Sequence, residues 1–522
     1  MQTALAPVGA PGGAGEQGPS RPASGRWVGW LALAGAVAVG VAVRAYTRSD
    51  LWLDEALSVN IARLPLSELF EALRHDGHPP LYYLLLHGWI EVFGDGDEAV
   101  RSLSALLSVA TLPVAWVAGR RYGGQACAVA TVVLLATSPF AVRYATEARM
   151  YSLVILLVFA GWLAVRRALE DPSLLRLVPV ALVSGLLLLT HYWSVYLLAA
   201  VALLLAWRAW FGPAAGRQPS ARTLAALAAG GVLFLPWLPS FLEQAAHTGT
   251  PWGRPERPGN VVMITLHDFG GGPFGEAQLL GTALLLLALL ALLARAVDAD
   301  RLELDLRTRR RARPECIVVA GTLGLAVVAG YATGSAFASR YSAVVLPLVL
   351  LLAGLGTTVF LRPPVRVGIL VVLAVTGLWF AGRNVVTDRT QAGAVADVLQ
   401  AQWRPGDVVA YCPDQLGPAV SRLLPAERAG VTYPTGTPPD RVDWAGYARR
   451  MAAGDPVAFA GTLDQRAGPG TVWLVWSSGY RTLGRSCEEL TDALADRRGP
   501  PDPSVVSGSQ FEHAWLFRYA GT

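Results

Sequence analysis

Eleven apolar stretches, each near the length that crosses a bilayer, recur between Trp27 and Gly382 and constrain the architecture more than any other feature. They lie at about 27–46, 98–118, 125–142, 150–165, 177–191, 192–208, 222–242, 277–296, 315–333, 341–361 and 367–382. In hydrocarbon a backbone N–H or C=O finds no water, so segments of this length must close their own hydrogen bonds as helices. Composition agrees: 53% of the 522 residues are hydrophobic and 16% charged, against about 25% charged in an ordinary soluble domain. The net charge of +5 comes from arginine alone, since the chain has no lysine. These arginines sit in short clusters between apolar segments, which points to membrane orientation rather than nucleic acid.

The clusters set a direction. With the N-terminus cytoplasmic, Arg120 and Arg121, Arg166 and Arg167, Arg208 and Arg217, "RTRRRARP" (307–314), and Arg362 and Arg366 all fall in cytoplasmic turns. Eleven spans then carry the C-terminus outside. "HPPLYYLLLHGWIEVFG" (78–94) has helical apolar spacing but is short for a span, and counting it as one would reverse every later turn. It is expected as an amphipathic helix on the outer surface, within a long first outer loop, residues 47–97.

The fold class expected is an all-α polytopic membrane domain (27–382) with a small C-terminal extracytoplasmic α/β domain (383–522). Residues 1–26, rich in Gly, Pro and Ala, read as a disordered cytoplasmic leader. Beyond Gly382, "QAGAVADVLQAQW", "LGPAVSRLL" and "CEELTDALADRR" read as helices, and "GDVVAYC", "TVWLVWSS" and "HAWLFRYA" as strands. No glycine-rich phosphate fingerprint opens a helix there. Cys412 and Cys487 both fall in this tail; a disulfide between them requires an outside location and closely approaching backbones.

On this topology the polar residues near membrane level gather on the outer side. Asp54, Glu55, His75, Asp76, His78, Tyr82 and Tyr83 lie in the first loop, and "RYATEARMY" (143–151) at the second outer turn with Arg143, Glu147, Arg149 and Tyr151. His191 and Tyr192 follow at the third turn, and "ASRYS" (338–342), with Arg340 and Tyr341, at the fifth; the Gly- and Pro-rich fourth loop (243–276) adds Glu243, His247, His267 and Asp268. Each has a plain structural explanation. Asp54 can cap a helix starting at Glu55, Arg149 can snorkel, His191 can bond a carbonyl, and Tyr82 and Tyr83 can anchor at the interface. Together they point to a site, because ionisable groups bordering spans are costly and face a cavity or one another. A carboxylate there can act as general base toward a hydroxyl, and arginine forks suit a phosphate leaving group. With no P-loop or dinucleotide fingerprint, a lipid phosphate in the outer leaflet fits better than a soluble nucleotide donor. A transporter or lipid flippase is the alternative, and it predicts polar groups at the midplane of the spans rather than at their outer ends.

"LWLDEALS", "HPPLYYLLLHGWIEVFGDGDEAVRSLSALLSVATLPVAWVAGRRYGG", "ATSPFAVRYATEARMYSL", "LLLTHYWSVYLL" and "SRYSAVVLPLVLLLAG", in that order, resemble the bacterial polyprenyl-phosphate-dependent glycosyltransferases of the GT-C class. The similarity is greatest to the group of protein O-mannosyltransferases and aminoarabinose transferases, and it covers roughly 27–380. It implies a polyprenyl-phosphate sugar donor, an envelope glycan, lipid or protein acceptor, and an acidic first-loop residue acting at an extracytoplasmic site. By position Asp54 matches that acid and is the expected base. Glu55 completes the pair and is expected to orient the acceptor. Glu147 stands where relatives carry a second acid, for acceptor positioning or metal binding; no cofactor is required by the sequence, though a divalent metal is compatible with it. Arg149 and Arg340 are the candidates for the donor phosphate, His191 and Tyr192 for the sugar pocket, and His78 for the shape of the loop. The resemblance ends at the tail, for which an acceptor-binding role is expected.

Overall fold

The computed structural model of the chain describes residues 24–250, 253–272, 276–428 and 430–521. Most of the leader expected over 1–26 lies outside these residues; Ser24 to Arg26 already belong to the first helix, Ser24–Ala42.

Each of the eleven apolar stretches is a helical element. After the first come Asp97–Gly123, the pair Gln125–Ala136 and Pro139–Ala145, Tyr151–Glu170, Leu174–Thr190, Ser194–Phe211 and Ala214–Gly230, the last carried on to His247. Ala277–Leu293, Arg313–Thr333, Leu346–Thr357 and Pro363–Val386 complete the set. Among the described residues seven helices are long and apolar enough to span a membrane, eight when the pair bent by 54° at its break is taken as one. Leu174–Thr190, Ala277–Leu293 and Leu346–Thr357 are shorter apolar helices. The chain is a multi-pass membrane protein. Leu346–Thr357 is short because it is interior: all its residues but Val349 are buried, so it presents no lipid-facing stripe.

The break in the bent pair is written locally. Ser138 accepts the amide of Ala141 at 3.2 Å and Pro139 takes the first helical position, where its missing N–H is no loss. The new helix ends at Ala145 and delivers residues 146–150 as a buried turn. The 27 residues of Asp97–Gly123 put its two ends about 40 Å apart. Arg101 near the first end binds Glu55, whereas Arg121 at the other pairs with Glu170 and offers its carbonyl to Arg311 at 3.4 Å. The arginine-rich turns and the first-loop acids therefore occupy opposite ends of the bundle.

The first loop folds as two helices, Leu53–Ala62 and Leu66–Asp76, followed by Leu81–Phe93 as expected. Gly77, at φ +87°, ends the second in the left-handed conformation that only glycine adopts freely and turns the chain so that His78 follows. The fourth loop departs from expectation in carrying a helix, Pro258–Gly270. Pro258 opens it, and the spacing of Val261, Thr265, Asp268 and Phe269 gives it a buried face that the surrounding glycines and prolines obscure.

The tail builds one five-stranded sheet in the order 431–432, 408–412, 472–476, 515–519, 502–505. The first three strands run parallel and the last two are antiparallel additions. All six elements expected from the sequence are present; the helices Tyr447–Ala452 and Pro456–Ala467 and the strands Val431–Thr432 and Asp502–Val505 are further ones. Cys412, at the end of a strand, is bonded to Cys487 in the helix Ser486–Arg498, 75 residues on. Closing a loop of that length removes about 4 kcal/mol of unfolded-state entropy. Cys487→Ala is accordingly expected to make the tail open to limited proteolysis at temperatures where the wild type resists, and equal resistance would refute a stabilising role.

The tail sits on the first loop. Leu53 packs against, and Leu57 belongs to, the tail's own apolar core, Asn60 donates to the carbonyl of Asp440 at 2.7 Å, and the amide of Trp444 reaches the carbonyl of His75 at 2.9 Å.

Candidate functional site

The helix Leu53–Ala62 starts without a side-chain cap of its own and carries Asp54 and Glu55 in its first turn, where the helix dipole favours negative charge. A 100° rotation per residue sends the two acids different ways. Asp54 faces two guanidinium groups, Arg340 at 3.5 Å and Arg149 at 3.8 Å. Its Oδ2 is buried and accepts no hydrogen bond, although 15% of the side chain remains exposed. Glu55 turns inward and is wholly buried. Arg101 grips both its oxygens at 2.7 Å, and the Ala148 amide donates to Oε1 at 2.9 Å. Burial alone would raise the carboxyl's pKa, but Arg101 and then Arg389 hold it below the usual range. Glu55, expected to orient the acceptor, is buried and engaged on both oxygens by Arg101, with the Ala148 amide on Oε1 as well, and so does not face the groups around Asp54.

Arg149 is the hub beneath Asp54. Its guanidinium donates to Ser58 Oγ at 2.9 Å, to the carbonyl of Asp54 at 3.2 Å and to His78 Nε2 at 2.9 Å. A guanidinium only donates, so Nε2 of His78 carries no proton, and Nδ1–H points to Asp76 at 2.8 Å. Asp76 also accepts from the Tyr83 hydroxyl at 2.6 Å. Tyr82 reaches Ser104 at 2.9 Å, and Ser104 donates to the carbonyl of Arg149. Both tyrosines are buried, not interfacial, and with His78 they fix the floor on which Asp54 stands.

Glu147 lies buried at the second turn, 3.3 Å from Arg143 and 3.6 Å from Arg389, with Oε2 unpartnered. Burial outweighs both arginines and raises its pKa. Arg389 sits between Glu147 and Glu55, 3.8 Å from the latter, and is secured by Thr146 through its carbonyl at 2.9 Å and hydroxyl at 2.8 Å.

On the other side of Arg340, rings line up: Tyr151 to His191 at 5.6 Å, His191 to Tyr341 at 5.4 Å and Tyr341 to Trp193 at 5.3 Å. Nδ1 of His191 accepts the Trp193 amide at 3.1 Å, so that nitrogen carries no proton, and the ring is buried. The Tyr151 hydroxyl is buried without a partner. Arg340 also lies over Trp52 at 5.8 Å.

The structure thus brings Asp54, His78, Arg149, Tyr151, His191, Arg340 and Tyr341 together, with Arg143 and Glu147 beside them. It does not bring Tyr192 to that group. Tyr192 turns toward the helix Leu238–His247, where it receives Trp237 Nε1 at 2.9 Å, bonds Gln244 and packs on Phe241. Among the described residues no group of three or more His, Cys, Asp and Glu is placed to hold a metal ion. Trp52, Arg101, Arg389 and Glu512 were not anticipated: the first two sit inside stretches that carry the resemblance without being singled out, and the other two lie in the tail outside any motif.

The chain superimposes on structures of ArnT from Cupriavidus metallidurans. Against ArnT in the apo state the TM-score is 0.62, and against ArnT bound to undecaprenyl phosphate 0.60; each match has 14% identity and covers 96% of this chain and 99% of that one. Residues 77–239 match the profile of the dolichyl-phosphate-mannose-protein mannosyltransferase family. The chain shares the fold of these ArnT structures over nearly its whole length. No curated protein matches it significantly in sequence. The profile begins next to His78 and ends at Pro239, so it takes in the Arg143–Tyr151 turn and His191, while Asp54 and Arg340 lie outside it.

Proposed function

We propose that this chain is a GT-C glycosyltransferase that transfers a sugar, mannose or another hexose or pentose, from a polyprenyl phosphate to a cell-envelope acceptor on the extracytoplasmic face of the plasma membrane, with the tail outside. The observation that carries this reading is Asp54, its Oδ2 free of hydrogen bonds and held between Arg149 and Arg340 at one end of an apolar bundle. The disulfide of the tail supports the outside placement, since such bonds persist in oxidising compartments.

In the reaction Asp54 takes the proton of the acceptor hydroxyl as its oxygen attacks the anomeric carbon. The bond from that carbon to the phosphate oxygen breaks, and the polyprenyl phosphate leaves with the electron pair. One base suffices for this inverting displacement. Arg340 is the phosphate ligand: with Tyr341 and Trp52 at its flanks it lies on the donor side, whereas Arg149 is committed to Ser58 and His78 and positions Asp54. Tyr151 and His191 line the sugar side. Arg340 supplies positive charge beside the leaving phosphate.

The test is transfer of radiolabel from synthetic polyprenyl-phosphate mannose, then other polyprenyl-phosphate sugars, by purified protein with an envelope acceptor fraction. No transfer from any donor would overturn the reading. Arg340→Ala is expected to raise the KM for the lipid donor about tenfold or more, as loss of a charge-assisted hydrogen bond implies; an unchanged KM refutes the phosphate role.

A further inference from the structure

The helix that presents Asp54 begins with an amide that nothing in its own segment satisfies. Trp52 offers no side-chain cap, and its carbonyl is taken by the amides of Glu55 and Ala56. The acceptor for Leu53 N–H comes from 459 residues away: Oε2 of Glu512, in the tail, at 3.1 Å. Glu512 is itself fixed twice to the segment that follows the last span. Its amide donates to the carbonyl of Arg389 at 2.8 Å, and its carbonyl accepts the amide of Gln391 at 3.1 Å. The Gln391 side chain ties down Gly508 and Ala514 on either side. The neighbouring Phe511 meets the Trp52 ring edge-on at 5.3 Å. Arg389, on the same short ladder, is the cation between Glu55 and Glu147.

We infer that Glu512 is a positioning residue of the catalytic centre: by capping Leu53 it sets the first turn that aims Asp54, and the tail is thereby a working part of the site. The inference rests on the transferase reading for its kinetic consequence.

The carboxyl of Glu512 has one oxygen engaged and the other, Oε1, buried without a partner. Burial pushes its pKa up to about 8; Thr390 and the Leu53 amide act against the shift, while Asp54 and Glu55 on the capped helix add to it. Tyr480, from the turn after the strand Val472–Trp476, also faces it. Since this value lies above that of an unfolded glutamic acid, its contribution is complete at low pH and is lost as pH rises through about 8. Ionisation then adds a charge beside two existing carboxylates.

The experiment compares Glu512→Ala, Glu512→Gln and wild type as full-length protein in detergent. Transfer is followed from pH 6 to 9, and amide hydrogen exchange of the 51–58 segment is corrected for intrinsic pH dependence. Glu512→Ala is expected to lower kcat about tenfold with the lipid-donor KM unchanged, and to speed exchange at Leu53, in line with loss of a helix cap. Glu512→Gln keeps an acceptor for that amide, so it is expected to restore kcat to within about threefold and to abolish the decline above pH 8. Exchange at Leu53 unchanged in Glu512→Ala, or a wild-type alkaline decline that persists in Glu512→Gln, overturns the inference. Failure of wild type to transfer any sugar would sink the transferase reading alone, because the exchange measurement needs no substrate.

Discussion

Asp54→Asn is expected to cut sugar transfer by about a thousandfold while leaving the protein folded and inserted, within the range that general-base catalysis supplies. The amide is near-isosteric and keeps an oxygen toward the arginines, but it cannot take the acceptor's proton. The floor beneath it does not depend on the carboxylate: Arg149 retains Ser58, His78 and the carbonyl of Asp54. Removing a negative charge next to Arg340 should, if anything, favour the anionic donor, so the lipid-donor KM is expected to stay level or fall. Rapid-quench turnover of labelled donor separates these effects. Turnover like that of wild type, or a loss confined to KM, would dismiss Asp54 as the base.

Arg101→Ala is expected to be the most damaging structural change, costing about 3–5 kcal/mol, because it strands the buried Glu55 carboxylate without its bidentate partner. Arg389, at 3.8 Å and shared with Glu147, is too distant to replace it. Arg101 also donates to the carbonyl of Ser49 at 2.7 Å, so the entry to the first loop loosens at the same time. The outcome should be a sharp fall in monodisperse detergent-solubilised protein, read by thermal unfolding. Replacing both members, Glu55→Met with Arg101→Met, is expected to recover much of the loss, since an apolar pair carries no unpaired charge. A single variant as stable as wild type would show that Glu55 is neutral or otherwise satisfied.

These two residues mark how far the sequence could be read. Asp54 was legible because an acid in the first outer loop, in "LWLDEALS" followed by HPPLYY, has both a charge out of place and a family pattern around it. Arg149, Arg340 and His191 were legible for the same reason. Glu55 was not separable from Asp54, as adjacent letters share a motif; only the helical rotation between them sends one to the site and the other to Arg101. Tyr192 stood next to His191 in the chain, yet its ring faces Trp237 and Gln244.

The sequence by itself determined that the chain spans a membrane repeatedly, which segments become helices, and that a small α/β unit follows. Those outcomes depend on the length and period of apolar runs, which are local properties of the chain. Only the tertiary structure decided that Arg389 and Glu512, distant from the first loop and free of any motif, close on the helix of Asp54. Their partners are buried acids and a single unsatisfied amide, and such needs arise only once the helices have packed and excluded water.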